Sequence, residues 1–296
     1  MDASTRTFLQ HRARIRGIAY RMLGSLADAD DLVQDVWLRW RECADAEVRA
    51  PEAWLVTAAT RLAIDRLRSL QRSREHYPGL WLPEPVLGDG SAAESPEDEL
   101  ERLGEVSMAL QALLERLTPA ARAAFLLREV FELDYDELAG ILGKSPAGCR
   151  QLVSRAKAAL GEEARRGDAP AAEHERLLAA FARATAAGDF GPIQALLATD
   201  ASLQGDGGGQ VASVPHPLRG ARRIAQLYFA NALRWAGRLR WEPVTLNGRP
   251  GLLRFVDGRL ESAQSFEFEG GRILRIGVQR NPAKLARLQA AWQARG

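Results

Sequence analysis

Apolar residues recur at helical spacing through the first 160 residues and alternate with polar ones near the C-terminus. Over 28–42 the stripe Leu32, Val33, Val36, Trp37 and Trp40 predicts a strong helix, with Asp31, Gln34, Asp35, Leu38 and Arg41 opposite. Pro51, at the first helical position, opens another long helix that turns basic towards its end. Ser95-Pro96, followed by Asp98, and Thr118-Pro119 are two further Ser/Thr-Pro starts. Asp134 and Glu137 have capping-box spacing before a short helix, YDELAGIL, which Gly143 should end. Ser145-Pro146 starts the next helix at once, so the pair has the length and glycine placement of a helix-turn-helix.

The second half reads differently. Helical patterns over 174–189, over FGPIQALLA and from Ala221 to Trp235 precede strand-like segments at 239–246, 251–256, 260–268 and 272–279. Period-two runs such as Gln264-Ser-Phe-Glu-Phe268 and Leu274-Arg-Ile-Gly-Val278 mark half-buried strands. Helices followed by a meander of strands indicate an α+β domain.

Composition places the boundaries. The 296 residues carry a net charge of only +2, but residues 76–107 hold one arginine and eight acids. That stretch is rich in Pro, Gly and Ser and reads as a linker. A shorter break, RRGDAPAAE, falls at 165–173. The expected organisation is a helical module at 1–75, a linker at 76–106, a second helical module at 107–165, an α+β domain at 172–281 and a tail at 282–296. Two cysteines without metal-ligand spacing, Cys43 and Cys149, predict no disulfide framework, no metal and a reducing, cytoplasmic setting. No apolar run reaches the ~18 residues of a membrane span, and the charged N-terminus lacks a leader's apolar core.

The helix from Pro146 turns Cys149, Leu152, Val153, Ala156 and Leu160 to one side. Ala147, Gln151, Ser154 and Ala158 lie opposite, flanked by Arg150, Arg155 and Lys157. From Lys144 to Lys157 there are four basic residues and no acid. Such a face suits the major groove, where Arg and Gln read base edges and Lys or Arg hold phosphates; an ordinary solvated helix is the alternative. The acidic face of the 28–42 helix fits a protein contact, although a single exposed leucine needs no partner. Arg61, Arg66 and Arg68 complement the dipole at the end of their helix or form a platform for a nucleic-acid backbone.

ADADDLVQDVWLRW followed by RAPEAWLVTAATRLAIDRLR resembles region two of the extracytoplasmic-function (ECF) sigma factors. TPAARAAFLLREVFELDYDELAGILGKSPAGCRQLVSRAKAAL resembles their region four. The resemblance implies two all-α modules, a region-two bundle and a region-four helix-turn-helix, that bind core RNA polymerase and promoter DNA, melted and duplex. Asp31, Gln34, Asp35 and Leu38 would meet the β′ clamp helices, and region four the β flap. The loop 43–50 and the following helix, with Trp54, Arg61, Asp65, Arg66 and Arg68, would hold the melted −10 element. Lys144, Ser145, Arg150, Gln151, Ser154, Arg155 and Lys157 would meet the −35 element.

The C-terminal part resembles the SnoaL-like α+β cone domain fused to some ECF sigma factors. These carry a DGGG motif, a linker motif and a terminal NPDKL. Here the motifs read Asp206-Gly207-Gly208-Gly209, Trp81-Leu82-Pro83-Glu84-Pro85 and Asn281-Pro282-Ala283-Lys284-Leu285. The resemblance implies regulation in cis, by a domain that stands in for a separate anti-sigma factor and docks on the first module or on the linker. A monomer without cofactor is expected, with room for a small-molecule ligand. Two other functions remain open. A one-component regulator would use the C-terminal domain as sensor, and a pocket enzyme would need Asp206, His216, Arg254 and Glu267 to converge.

Overall fold

The computed structural model describes residues 2–43, 48–74, 77–88, 106–161 and 171–295. The helix start at Ser95-Pro96 and the centre of the 43–50 loop lie outside the described residues. The chain forms two compact units; one takes in Met1–His76 and Leu113–Ala164, the other Tyr77–Gly90, Ser107–Ala112 and Arg165–Gly296.

In the first unit, α1 (Ala3–Leu23), α2 (Leu26–Cys43) and α3 (Pro51–Arg74) form a bundle. Ile15, Ile18 and Met22 of α1, Leu32, Val33 and Val36 of α2 and Leu55, Ala59, Ala63 and Leu67 of α3 are buried side chains of this bundle. A short helix α4 (Met108–Leu114), assigned to the second unit as far as Ala112, leads into α5 (Pro119–Glu129), α6 (Tyr135–Leu142) and α7 (Pro146–Leu160) of the first. Thr118, Asp134 and Ser145 cap the last three, and Asp134 and Glu137 form the complete capping box. Gly143 takes the left-handed conformation at φ 63°, which turns the chain between α6 and α7 at little steric cost.

The two helical modules pack on each other within this unit. Arg122 of α5 is wholly buried. It donates to Met22 O of α1 at 2.8 Å and to Leu114 O at 3.0 Å, and it pairs with Glu115 at 2.7 Å. Burying this cation is tolerable because the end carbonyls of two helices and a carboxylate surround it.

In the second unit, α8 (Ala171–Ala187), α9 (Phe190–Ala195) and α10 (Ala221–Arg234) accompany strands β1 (Leu197–Asp206), β2 (Leu218–Arg219), β3 (Leu239–Leu246), β4 (Arg249–Val256), β5 (Arg259–Glu269) and β6 (Arg272–Gln279). The sheet order is β2-β1-β6-β5-β4-β3, with β1 parallel to β6 and every other pair antiparallel. Asn247-Gly248, Asp257-Gly258 and Gly270-Gly271 make the three hairpins, each pair with positive φ at both residues, as two-residue turns demand. Alternation splits β4 between two cores. Leu252 joins Phe181, Ile224, Tyr228 and Phe266 on one face, while Leu253 and Phe255 join Leu246 and Ala263 on the other. The segment expected as a tail is instead a helix, α11 (Pro282–Gln293), capped by Asn281. Leu285 and Leu288 bury it on the second face, since a sheet apolar on both sides needs cover on both.

The stretch read as a linker divides. Tyr77–Gly88 lies on the second unit's sheet: Val86 exchanges hydrogen bonds with Asn247 at 3.0 and 2.9 Å, and Leu87 bridges Leu246. Trp81-Leu-Pro-Glu-Pro85 is largely buried there. Proline and apolar residues, read from composition as flexible, make an extended strap once a surface accepts them.

Candidate functional site

The basic face of α7 is laid out as its periodicity predicts. Cys149, Val153, Ala156 and Leu160 are buried, while Lys144, Arg150, Gln151, Ser154, Arg155 and Lys157 are exposed. Burial also pushes the Cys149 thiol up, which keeps it protonated and inert as packing. Ser145 spends its hydroxyl oxygen on the cap, accepting from Gly148 N at 3.1 Å. Lys157 pairs with Glu129 at 2.7 Å, and the Arg150 guanidinium lies 5.1 Å from the Tyr135 ring centroid.

On the first module, Asp31, Gln34, Asp35 and Leu38 share one exposed face of α2, and Leu38 is 55% exposed. Three basic side chains of α3, those of Arg61, Arg66 and Arg68, are already engaged. Arg66 reaches Asp31 at 3.0 Å, Asp28 at 3.4 Å and Asp35 at 3.8 Å. Arg68 pairs with Asp65 at 2.9 Å on the surface. Arg61 donates to Ile141 O at 3.0 Å and Gly140 O at 3.1 Å, at the carbonyl end of α6. Trp54 packs on Trp40 with ring centroids 5.4 Å apart.

The second unit gathers Leu82, Asp206, Asn281 and Lys284 at one buried node. Asp206, at the end of β1, has no solvent exposure. Its carboxylate accepts from Lys284 Nζ at 2.6 Å, Tyr77 Oη at 2.7 Å, Gly208 N at 2.9 Å, Leu82 N at 3.0 Å and Gln279 Nε2 at 3.3 Å. The Lys284 ammonium also donates to Leu82 O at 2.6 Å and lies 4.2 Å from the Trp81 ring centroid. Gln279 Nε2 contacts the carbonyls of Leu82 and Pro83, and Asn281 Nδ2 donates to Tyr77 Oη at 2.9 Å. Charge-assisted bonds and a cation over a ring are among the stronger polar contacts.

The glycines of this node are spacers. A Cβ on Gly209, at φ 68°, would meet Pro78 Cγ at 2.5 Å, and one on Gly208, at φ 62°, would meet Asn281 Cγ at 2.5 Å. Gly207 would strike the carbonyl of Val211. Tyr77 and Gln279 were missed from sequence. Only the position of Tyr77 beside Pro78, at the head of the apolar strap, hinted at a role.

The residues a pocket enzyme would need do not meet. Asp206 serves the strap, Arg254 pairs with Glu261, Glu267 pairs with Arg275 at 2.7 Å, and His216 is exposed. The face under α8 and α10 is packed with rings: Phe181 lies 4.9 Å from Tyr228 and 5.5 Å from Phe266. Tyr228, its phenol pushed up by burial, donates to Gln264 at 2.7 Å and stays protonated. No described helix is long and apolar enough to cross a membrane.

The family model for sigma-70 region 2 matches residues 7–73, and that for sigma-70 region 4 matches residues 107–160. ECF RNA polymerase sigma factor SigJ of Mycobacterium tuberculosis is 38% identical over 216 residues, covering 73% of this chain and 69% of its own. The chain belongs to the ECF RNA polymerase sigma factors. The probable ECF sigma factor SigI of the same organism aligns over 98% of this sigma factor and 97% of its own length, at 30% identity. The crystal structure of SigJ superposes with a TM-score of 0.76 at 30% identity, over 96% of this chain and 98% of that one. This protein is therefore an alternative sigma factor, which binds RNA polymerase and promoter DNA and directs transcription initiation. The fold class read from its sequence holds in its two all-α modules and its α+β C-terminal domain.

Proposed function

We propose that the activity of this sigma factor is modulated in cis by its own C-terminal domain. The carrying observation is the Asp206 node, which ties the segment between the two promoter-reading modules to β1, β6 and α11. Tethering keeps such contacts at ~mM effective concentration. Trp81, Leu82, Pro83, Asp206, Gly207, Gly208, Gly209, Asn281, Pro282, Lys284 and Leu285 are the regulatory set.

In this reading Asp31, Gln34, Asp35 and Leu38 meet the β′ clamp helices of core polymerase, and region four meets the β flap. Trp54, Arg61, Asp65, Arg66 and Arg68 serve the melted −10 element. Lys144, Ser145, Arg150, Gln151, Ser154, Arg155 and Lys157 serve the duplex −35 element. Those elements lie about 25 base pairs apart, on the order of 85 Å of B-DNA at 3.4 Å per step. The Arg61 contact with α6 must break before both are read. Core polymerase, or a small molecule, opens the chain to the extent that it binds the open form more tightly. The protein works as a single chain in the cytoplasm.

In vitro transcription with core polymerase tests this, comparing the full chain with residues 1–165. Removing the C-terminal domain should change promoter output several-fold. Equal output from both would refute regulation in cis.

A further inference from the structure

We propose that Tyr135 is a positioning residue for the −35 reader, a platform that presets Arg150 to read a guanine edge. The inference rests on the proposed role of α7. Arg150 is the fifth residue of α7, in the N-terminal part of the helix that reaches base edges in a helix-turn-helix, and its side chain is exposed. Arginine is the usual bidentate reader of guanine O6 and N7, and the geometry tolerates little error. A free arginine would lose much rotamer freedom on docking. One already stacked on a ring has lost part of it beforehand.

The platform is itself held. Tyr135 is the first residue of α6, directly after the cap Asp134. The Asp134 carboxylate accepts from the backbone of Asp136 and Glu137 at 2.9 and 2.8 Å, and the Glu137 carboxylate accepts from Asp134 N at 2.8 Å. A second guanidinium, Arg128, lies 4.9 Å from the same ring centroid and is anchored on Leu133 O at 2.8 Å. None of the other three cations on the face is arranged like Arg150, and Lys144 offers a point charge rather than a planar fork. Arg155 has no ring beneath it among the described residues, and Lys157 is a point charge paired with Glu129. The α6 capping box thus acts on promoter choice through one ring, which a purely structural account of that box would not require.

The full chain with core polymerase is assayed on promoters carrying each base at each −35 position. Tyr135→Leu should reduce the preference for the guanine read by Arg150 about two- to fivefold, as expected for loss of an exposed cation–π contact, and leave other positions unchanged. Tyr135→Phe should keep the preference. Tyr135→Leu combined with Arg150→Ala should be no worse than Arg150→Ala alone. Equal weakening on all promoters, or losses that add in the double variant, would overturn the inference. If Arg150→Ala itself leaves selectivity unchanged, the −35 reading of α7 fails and takes the proposal with it. An Arg150→Ala effect with a silent Tyr135→Leu overturns the platform alone.

Discussion

Asp206→Ala should release the strap while leaving the sheet folded. The carboxylate is fully buried, and deleting it removes the ion pair with Lys284 and the acceptor for Tyr77, Leu82, Gly208 and Gln279. Breaking a buried ion pair from one side costs about 3–5 kcal/mol. Lys284 keeps Leu82 O and the Trp81 ring, so the lower end, about 3 kcal/mol, is expected. At 1.4 kcal/mol per tenfold, strap opening should become about a hundredfold more frequent. Hydrogen exchange reads this directly, because the Leu82 amide donates to Asp206 itself. Protection at Leu82 should collapse, while the amide of Leu252, inside the sheet, stays slow. Unchanged protection at Leu82 would refute the reasoning.

Gly209→Ala should loosen the same strap by about 1–2 kcal/mol through a left-handed alanine and a clash with Pro78, measurable as faster proteolysis near residues 77–88. His174 is stacked on Phe268 at 4.2 Å, and burial first, then the nearby Arg249, holds its imidazole below the ordinary value of about 6.5, against a smaller opposing effect of Glu173. The unfolded chain therefore binds the proton more readily. Stability of the second unit should be complete above about pH 6.5 and fall as pH drops below it. Thermal unfolding between pH 5 and 7.5 should show that slope, and His174→Phe, which keeps the stack, should flatten it.

Most elements were legible because their determinants are local. Asp134 and Glu137, Thr118-Pro119 and Ser145-Pro146 mark their own helices, and a capping hydroxyl or carboxylate needs only the next three residues to act. The α7 face could be read one residue at a time, since a 3.6-residue period fixes which side chains share a side. The strands from Leu239 to Gln279 announced themselves by alternation, and two-residue turns set their order.

Local pattern along the chain therefore specified an inventory: two helical modules of sigma type, a helix-turn-helix with a basic face, an α+β domain, and three short motifs. Tertiary structure alone decided how those motifs are used. Residues 81–85, 206–209 and 281–285 are separated by more than 70 positions at each step, and no local rule pairs a buried aspartate with a lysine so far away. The same holds for Arg61 on α6 and for the buried Arg122, which on composition are simply surface arginines. A charge is stable in the interior only where distant groups converge to pair it, and that convergence is a property of the folded chain.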